Sequence, residues 1–112
     1  MKKIILVLIL MAGVFIVSCE SNTYNEISVV VTNPTYTANI EPVMKASCIG
    51  CHSVGGTFPT LTTYAQVKTS TATGNLICRI GQTCGSVMPP SGALTAQTIE
   101  MIKLWQQQGF VN

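Results

Sequence analysis

The sequence predicts an all-α domain of about four short helices, and three observations predict it. Apolar side chains at Ile40, Val43, Met44 and Cys48 follow the i, i+3, i+4, i+8 spacing of one helical face. A second stripe, Ile99, Ile102 and Trp105, lies between a Thr95 cap and Gly109. Nothing in the chain alternates strands with helices, and its one β-branched run is Ile27 to Val31.

The chain has 112 residues, enough for one small domain. Its opening, MKKIILVLILMAGVFIVSCES, pairs a basic Lys2-Lys3 with an uncharged apolar run from Ile4 to Val17. That run is short for a membrane span of about 20 residues and has the pattern of an export signal. It ends in Ile16-Val17-Ser18-Cys19, which resembles the lipobox of bacterial lipoproteins. The resemblance implies cleavage after residue 18, a lipid on Cys19 and an exported, membrane-anchored protein on a periplasmic or outer face. Residues 19–35 then read as anchor and tether, with a short strand possible over Ile27 to Val31, and residues 36–112 as the folded domain.

Within that domain Asn39 is the expected cap of the first helix, with Pro42 in its first turn, where a missing N–H is tolerated. The loop SVGGTFPTLT follows, punctuated by Gly55, Gly56 and Pro59. TTYAQVKTSTATG reads as a modest helix closed by Gly74, and Leu76 to Gly81 as a further helical turn. Pro89 and Pro90 forbid a helix in CGSVMPPSG. Thr95 opens the last helix, Leu94 can staple onto Ile99, and Phe110 can fold back past Gly109.

Removing the signal takes Lys2 and Lys3 from the six basic residues, and Lys45, Lys68, Arg79 and Lys103 then balance the four acids Glu20, Glu26, Glu41 and Glu100. A mature chain of zero side-chain charge offers no basic patch for nucleic acid. Of the five cysteines, Cys19 is assigned to lipid and Cys48 and Cys51 stand in the sequence CIGCH. Cys78 and Cys84 remain, and in an oxidising compartment they are expected to form a disulfide.

CIGCH carries the chemistry. In a CxxCH the two thiols stand about one helical turn apart, matching the two vinyl groups of a haem, and the histidine projects toward the iron. Cys48 and Cys51 are therefore the expected thioether sites and His52, the only histidine, the proximal ligand. A structural zinc ion wants four convergent ligands, and a thioredoxin-like dithiol wants a βαβ unit. Neither is legible here. A sixth iron ligand cannot be a second histidine. Met44 belongs to the attachment helix and Met101 reads as core of the last helix, so Met88, stiffened by Pro89 and Pro90, is the expected distal ligand, with Met101 the next candidate.

With "NIEPVMKASCIGCH", "LTTYAQV", "GNLICRI", "MPP" and "IKLWQQQG", the chain resembles a class I monohaem cytochrome c of the small lipid-anchored bacterial type, from about Tyr36 to Phe110. The resemblance implies helices wrapped around one covalent haem c, first and last helices packed together, and the same ligands, His52 and Met88. It also implies that the Pro59 carbonyl orients the proximal imidazole and that Arg79 meets a haem propionate. The Cys78/Cys84 pair departs from the plainest family pattern. The function implied is a carrier of single electrons between redox proteins at a membrane face, and not an enzyme. A haem-based sensor of small ligands with a labile Met88, and a haem subunit of a larger redox complex, are the alternatives.

Overall fold

The computed structural model describes residues 30–112. The expected signal, the Cys19 lipid site and most of the tether lie outside the described residues. Val30 and Val31 form no strand. Among the described residues helices and no strands form, with four α-helices joined by long loops: α1 Glu41–Ser47, α2 Tyr64–Ala72, α3 Leu76–Ile80 and α4 Ala96–Gln107.

A single π-helical turn, Tyr36–Ile40, leads directly into α1. Its cap is Thr35 rather than Asn39: Thr35 Oγ1 accepts from the Ala38 N–H at 3.3 Å, and the Asn39 side chain turns back to accept from the Thr35 N–H at 3.0 Å. The wide turn has a local cause. Pro42 lacks an N–H and its ring crowds the carbonyl four residues back. Relaxing the preceding turn to the i→i+5 pattern, with Ile40 N–H donating to Thr35 O at 3.2 Å, makes room without ending the helix. Tyr36, Ile40 and Met44 then fall on one buried stripe, with Val43 and Cys48 packed beside it.

α2 is held at its start by a full capping box between Thr63 and Gln66. Beyond its end, a Cβ at Gly74 would stand 2.7 Å from the Ser70 carbonyl, so only glycine lets the chain double back into α3 there. α4 starts on Thr95, whose Oγ1 accepts from the Thr98 N–H at 3.2 Å. It ends with Gly109 and Phe110 at φ 83° and 64°, and the Phe110 N–H closes on Trp105 O at 2.9 Å. α4 packs on α2 and α3.

First and last elements meet through an aromatic cluster. Trp105 is fully buried, with Phe110 edge-on at 4.9 Å and Tyr36 at 6.0 Å, and Tyr64 stands edge-on to both Tyr36 and Trp105. Polar handles close the seam. Val111 O accepts from Trp105 Nε1 at 2.7 Å and from the Tyr36 N–H at 2.8 Å, and Phe110 O accepts from the Tyr64 hydroxyl at 2.7 Å. The end of the expected tether joins this seam: Pro34 is buried, and Thr32 O accepts from Gln108 Nε2 at 2.8 Å.

Trp105→Ala should cost about 4 kcal/mol, because it removes the largest buried side chain and leaves a cavity. Urea unfolding would measure it. Burial, with Glu41 nearby and against the pull of Lys45, raises the Tyr36 phenol above its ordinary value. Below about pH 10 both folded and unfolded phenols are protonated and nothing is lost. Above it the unfolded chain gives up the proton first, so stability should fall with rising pH. Tyr36→Phe should flatten that alkaline limb in the same urea experiment.

Candidate functional site

The CIGCH segment prolongs α1 by tight turns. Cys48 O accepts from the Cys51 N–H at 3.2 Å and from the His52 N–H at 2.9 Å, which places the two thiols and the imidazole on consecutive turns. Cys48 is half-buried against the core and Cys51 is exposed, and both thiols are free. Burial pushes the Cys48 thiol up from its ordinary pKa, which keeps it protonated at neutral pH.

His52 is gripped from one side. Its Nδ1 lies 2.8 Å from Pro59 O and 3.1 Å from Thr57 O. Two carbonyls can only accept, so Nδ1 carries a proton, and in the neutral ring Nε2 keeps its lone pair. The intervening loop is built to bring those carbonyls round. Thr57 N–H donates to Cys51 O at 2.9 Å, Leu61 N–H donates to His52 O at 2.8 Å, and Gly55 sits at φ 79°. A Cβ on Gly56 would collide with the Cys51 carbonyl, so the loop can close only over glycine.

A bracket running from α3 to Met88 borders the same cavity as this loop. The Cys78–Cys84 disulfide, with Cα atoms 5.4 Å apart, pinches its base. Thr83 N–H donates to Cys78 O at 2.8 Å, and Met88 N–H donates to Arg79 O at 3.3 Å. The Arg79 guanidinium donates to Ser86 O at 3.1 Å and lies across Gly85, where a Cβ would come within 2.5 Å of it.

These parts surround one cavity of about 1060 Å³. Its lining includes Cys48, Cys51, His52 and Pro59 and, from further along the chain, Arg79, Met88, Pro89 and Pro90. Met44, Leu61, Leu76 and Ile80 supply apolar wall, while Gln66, Thr69, Ser70 and Thr73 form a polar stripe of α2. Arg79 is the only charged residue in the lining. Met101 is not in it; it borders a separate hollow with Val30, Val31 and Leu104. Met44 does line the cavity, but from the buried stripe of α1 one turn before Cys48.

Two features of the site had no sequence signal behind them: the Thr57 carbonyl as a second acceptor for His52, and the Ser86 carbonyl as the anchor of Arg79. Both are backbone groups. Among the described residues no group of three or more His, Cys, Asp or Glu side chains is gathered to hold a metal ion unaided, and no helix is long and apolar enough to cross a membrane. Compared with family models, curated proteins and solved structures, the chain matches none.

Breaking the disulfide by Cys78→Ser with Cys84→Ser should lower stability by about 2 kcal/mol on chain-entropy grounds. Unfolding curves of oxidised wild type and the double variant would measure it. An unchanged midpoint would show that the hydrogen bonds from Thr83 and Met88 suffice to hold the bracket.

Proposed function

We propose that the chain is a monohaem c-type cytochrome that carries single electrons at a membrane face. One observation carries the reading. The two free thiols of CxxCH, an imidazole with Nδ1 committed and Nε2 free, and the loop thioether of Met88 all border the same cavity. At about 1060 Å³ the cavity lies just above the roughly 300–1,000 Å³ typical of small-molecule sites, room enough for a large planar cofactor. Cys48 and Cys51 would hold the haem by thioether bonds, and His52 Nε2 and the Met88 sulfur would ligate its iron. Bound there, the group supplies a one-electron couple.

The chain's own residues do the rest. The Pro59 and Thr57 carbonyls fix the imidazole's tautomer and orientation. The disulfide bracket and the prolines restrain Met88, so that little reorganisation accompanies a change of charge at the centre. Apolar walls from Leu61, Leu76 and Ile80 keep water out. Arg79 is the one cation placed to meet an anionic edge, such as a propionate. The same reading includes export and lipidation at Cys19, which would hold the domain near its redox partners; Cys19→Ser should release the protein from the membrane with its colour intact.

The test is expression in an exporting host that attaches haem to CxxCH proteins. Intact mass should show one haem and a lipid, and the reduced protein should give a c-type spectrum. Met88→Ala should lower the reduction potential and let carbon monoxide bind the ferrous protein, which the wild type should not do. A colourless wild-type protein, with Cys48 and Cys51 still free, would sink the proposal. Carbon monoxide binding by the untreated wild type would favour a ligand sensor instead.

A further inference from the structure

Five aromatic side chains lie among the described residues, and four of them, Tyr36, Tyr64, Trp105 and Phe110, pack into one cluster. The fifth, Phe58, is 90% exposed. It stands on the lip of the cavity, four positions after Val54, which is 82% exposed on the same loop. A single exposed apolar residue needs no explanation, but two on one tight loop at the mouth of a site are unusual.

The loop is not slack. Phe58 sits between Thr57 and Pro59, whose carbonyls both hold His52 Nδ1, and the Thr57 N–H is tied to Cys51 O. The ring is therefore presented by a pre-ordered backbone, so little freedom is lost when something covers it. The two loops that form the lip also carry no charge, and Arg79, the one charged residue of the lining among the described residues, is tied down on Ser86 O. No Asp, Glu, Lys or Arg occurs from Ala46 to Val67, which includes this loop, or from Ile80 to Ile99, which includes Met88 and Pro90.

We infer that Phe58 and Val54 form a docking face for a redox protein whose own contact surface is apolar and uncharged. The inference rests on the electron-carrier reading, which requires a partner to approach the cavity edge. Absence of charge on the lip selects a partner surface without charge, because a charged one would lose hydration and gain no counter-charge. A bilayer is the less suitable occupant. Val30 and Val31, the first described residues, adjoin Met101 and Leu104 of α4, and α4 contributes no residue to the cavity. A surface holding the protein by that segment does not thereby face the lip.

The test uses the full exported protein, with a second copy of itself as the probe, since that copy presents the same uncharged face. One electron passes from the reduced to the oxidised molecule, and no bond or proton moves. The self-exchange rate, read from NMR line widths of mixed oxidation states, should change less than about two-fold between low and high salt. Phe58→Glu, and independently Val54→Glu, should slow it about ten-fold or more while haem content and spectrum stay those of the wild type. Rates indifferent to both substitutions overturn the docking face. So does capture of the Cys19→Ser protein, but not of Cys19→Ser with Phe58→Glu, on neutral phosphatidylcholine vesicles, which would assign the face to a bilayer. Retention on a phenyl matrix is independent of any bound group. If Phe58→Glu shortens retention in a protein that takes up no haem, the face stands and the electron-carrier reading fails.

Discussion

The contact between His52 Nδ1 and the Pro59 carbonyl organises more of this domain than any other single polar interaction. It orients a ring that would otherwise rotate freely about its side-chain torsions. It also forces residues 53–59 into a closed loop, and that loop becomes one side of the cavity. The glycines follow from the same demand, since Gly56 passes where no Cβ fits against the Cys51 carbonyl. The exposure of Phe58 follows too. When the carbonyls on both sides of a residue face inward to one imidazole, the side chain between them is left on the outside.

A domain this small cannot fill its own centre and leave room for a large ligand without support elsewhere. Here the labour is divided. The aromatic cluster around Trp105 supplies a compact core at the junction of the first and last elements, and the cavity opens among α2, α3 and the loops. The segment least supported by helices, between α3 and Met88, is the one that carries the disulfide. A covalent pinch substitutes for packing where the chain has little apolar surface to bury.

Helix faces were legible because they repeat. The stripe through Ile40 and Met44, and that through Ile102 and Trp105, needed only the 3.6-residue period, and Gly109 with Phe110 needed only the chemistry of helix ends. Local competition was harder to read. Thr35 and Asn39 can both cap, and spacing does not say which accepts from which; the π turn demanded by Pro42 decided it in favour of Thr35. The helix in TTYAQVKTSTATG was legible in spite of its polar composition, while the Thr63–Gln66 capping box that opens it was in the letters and went unread. The disulfide could be reached by eliminating the other cysteines. Which residues share the cavity could not be read from spacing, since Arg79 and Met88 come to it through backbone hydrogen bonds. Phe58, an aromatic beside a proline, would ordinarily be assigned to a core.

The seam at Val111 has a mechanical consequence. Thr32 is bonded to Gln108, and Tyr36 shares the Val111 carbonyl with Trp105, so the two ends of the domain are fastened at one place. Tension applied to the chain ahead of Val30 enters the fold at that fastening and is passed straight to α4. The loops that set His52 and Met88 lie outside this load path. A pull on this end of the fold thus leaves the spacing between His52 and Met88 alone.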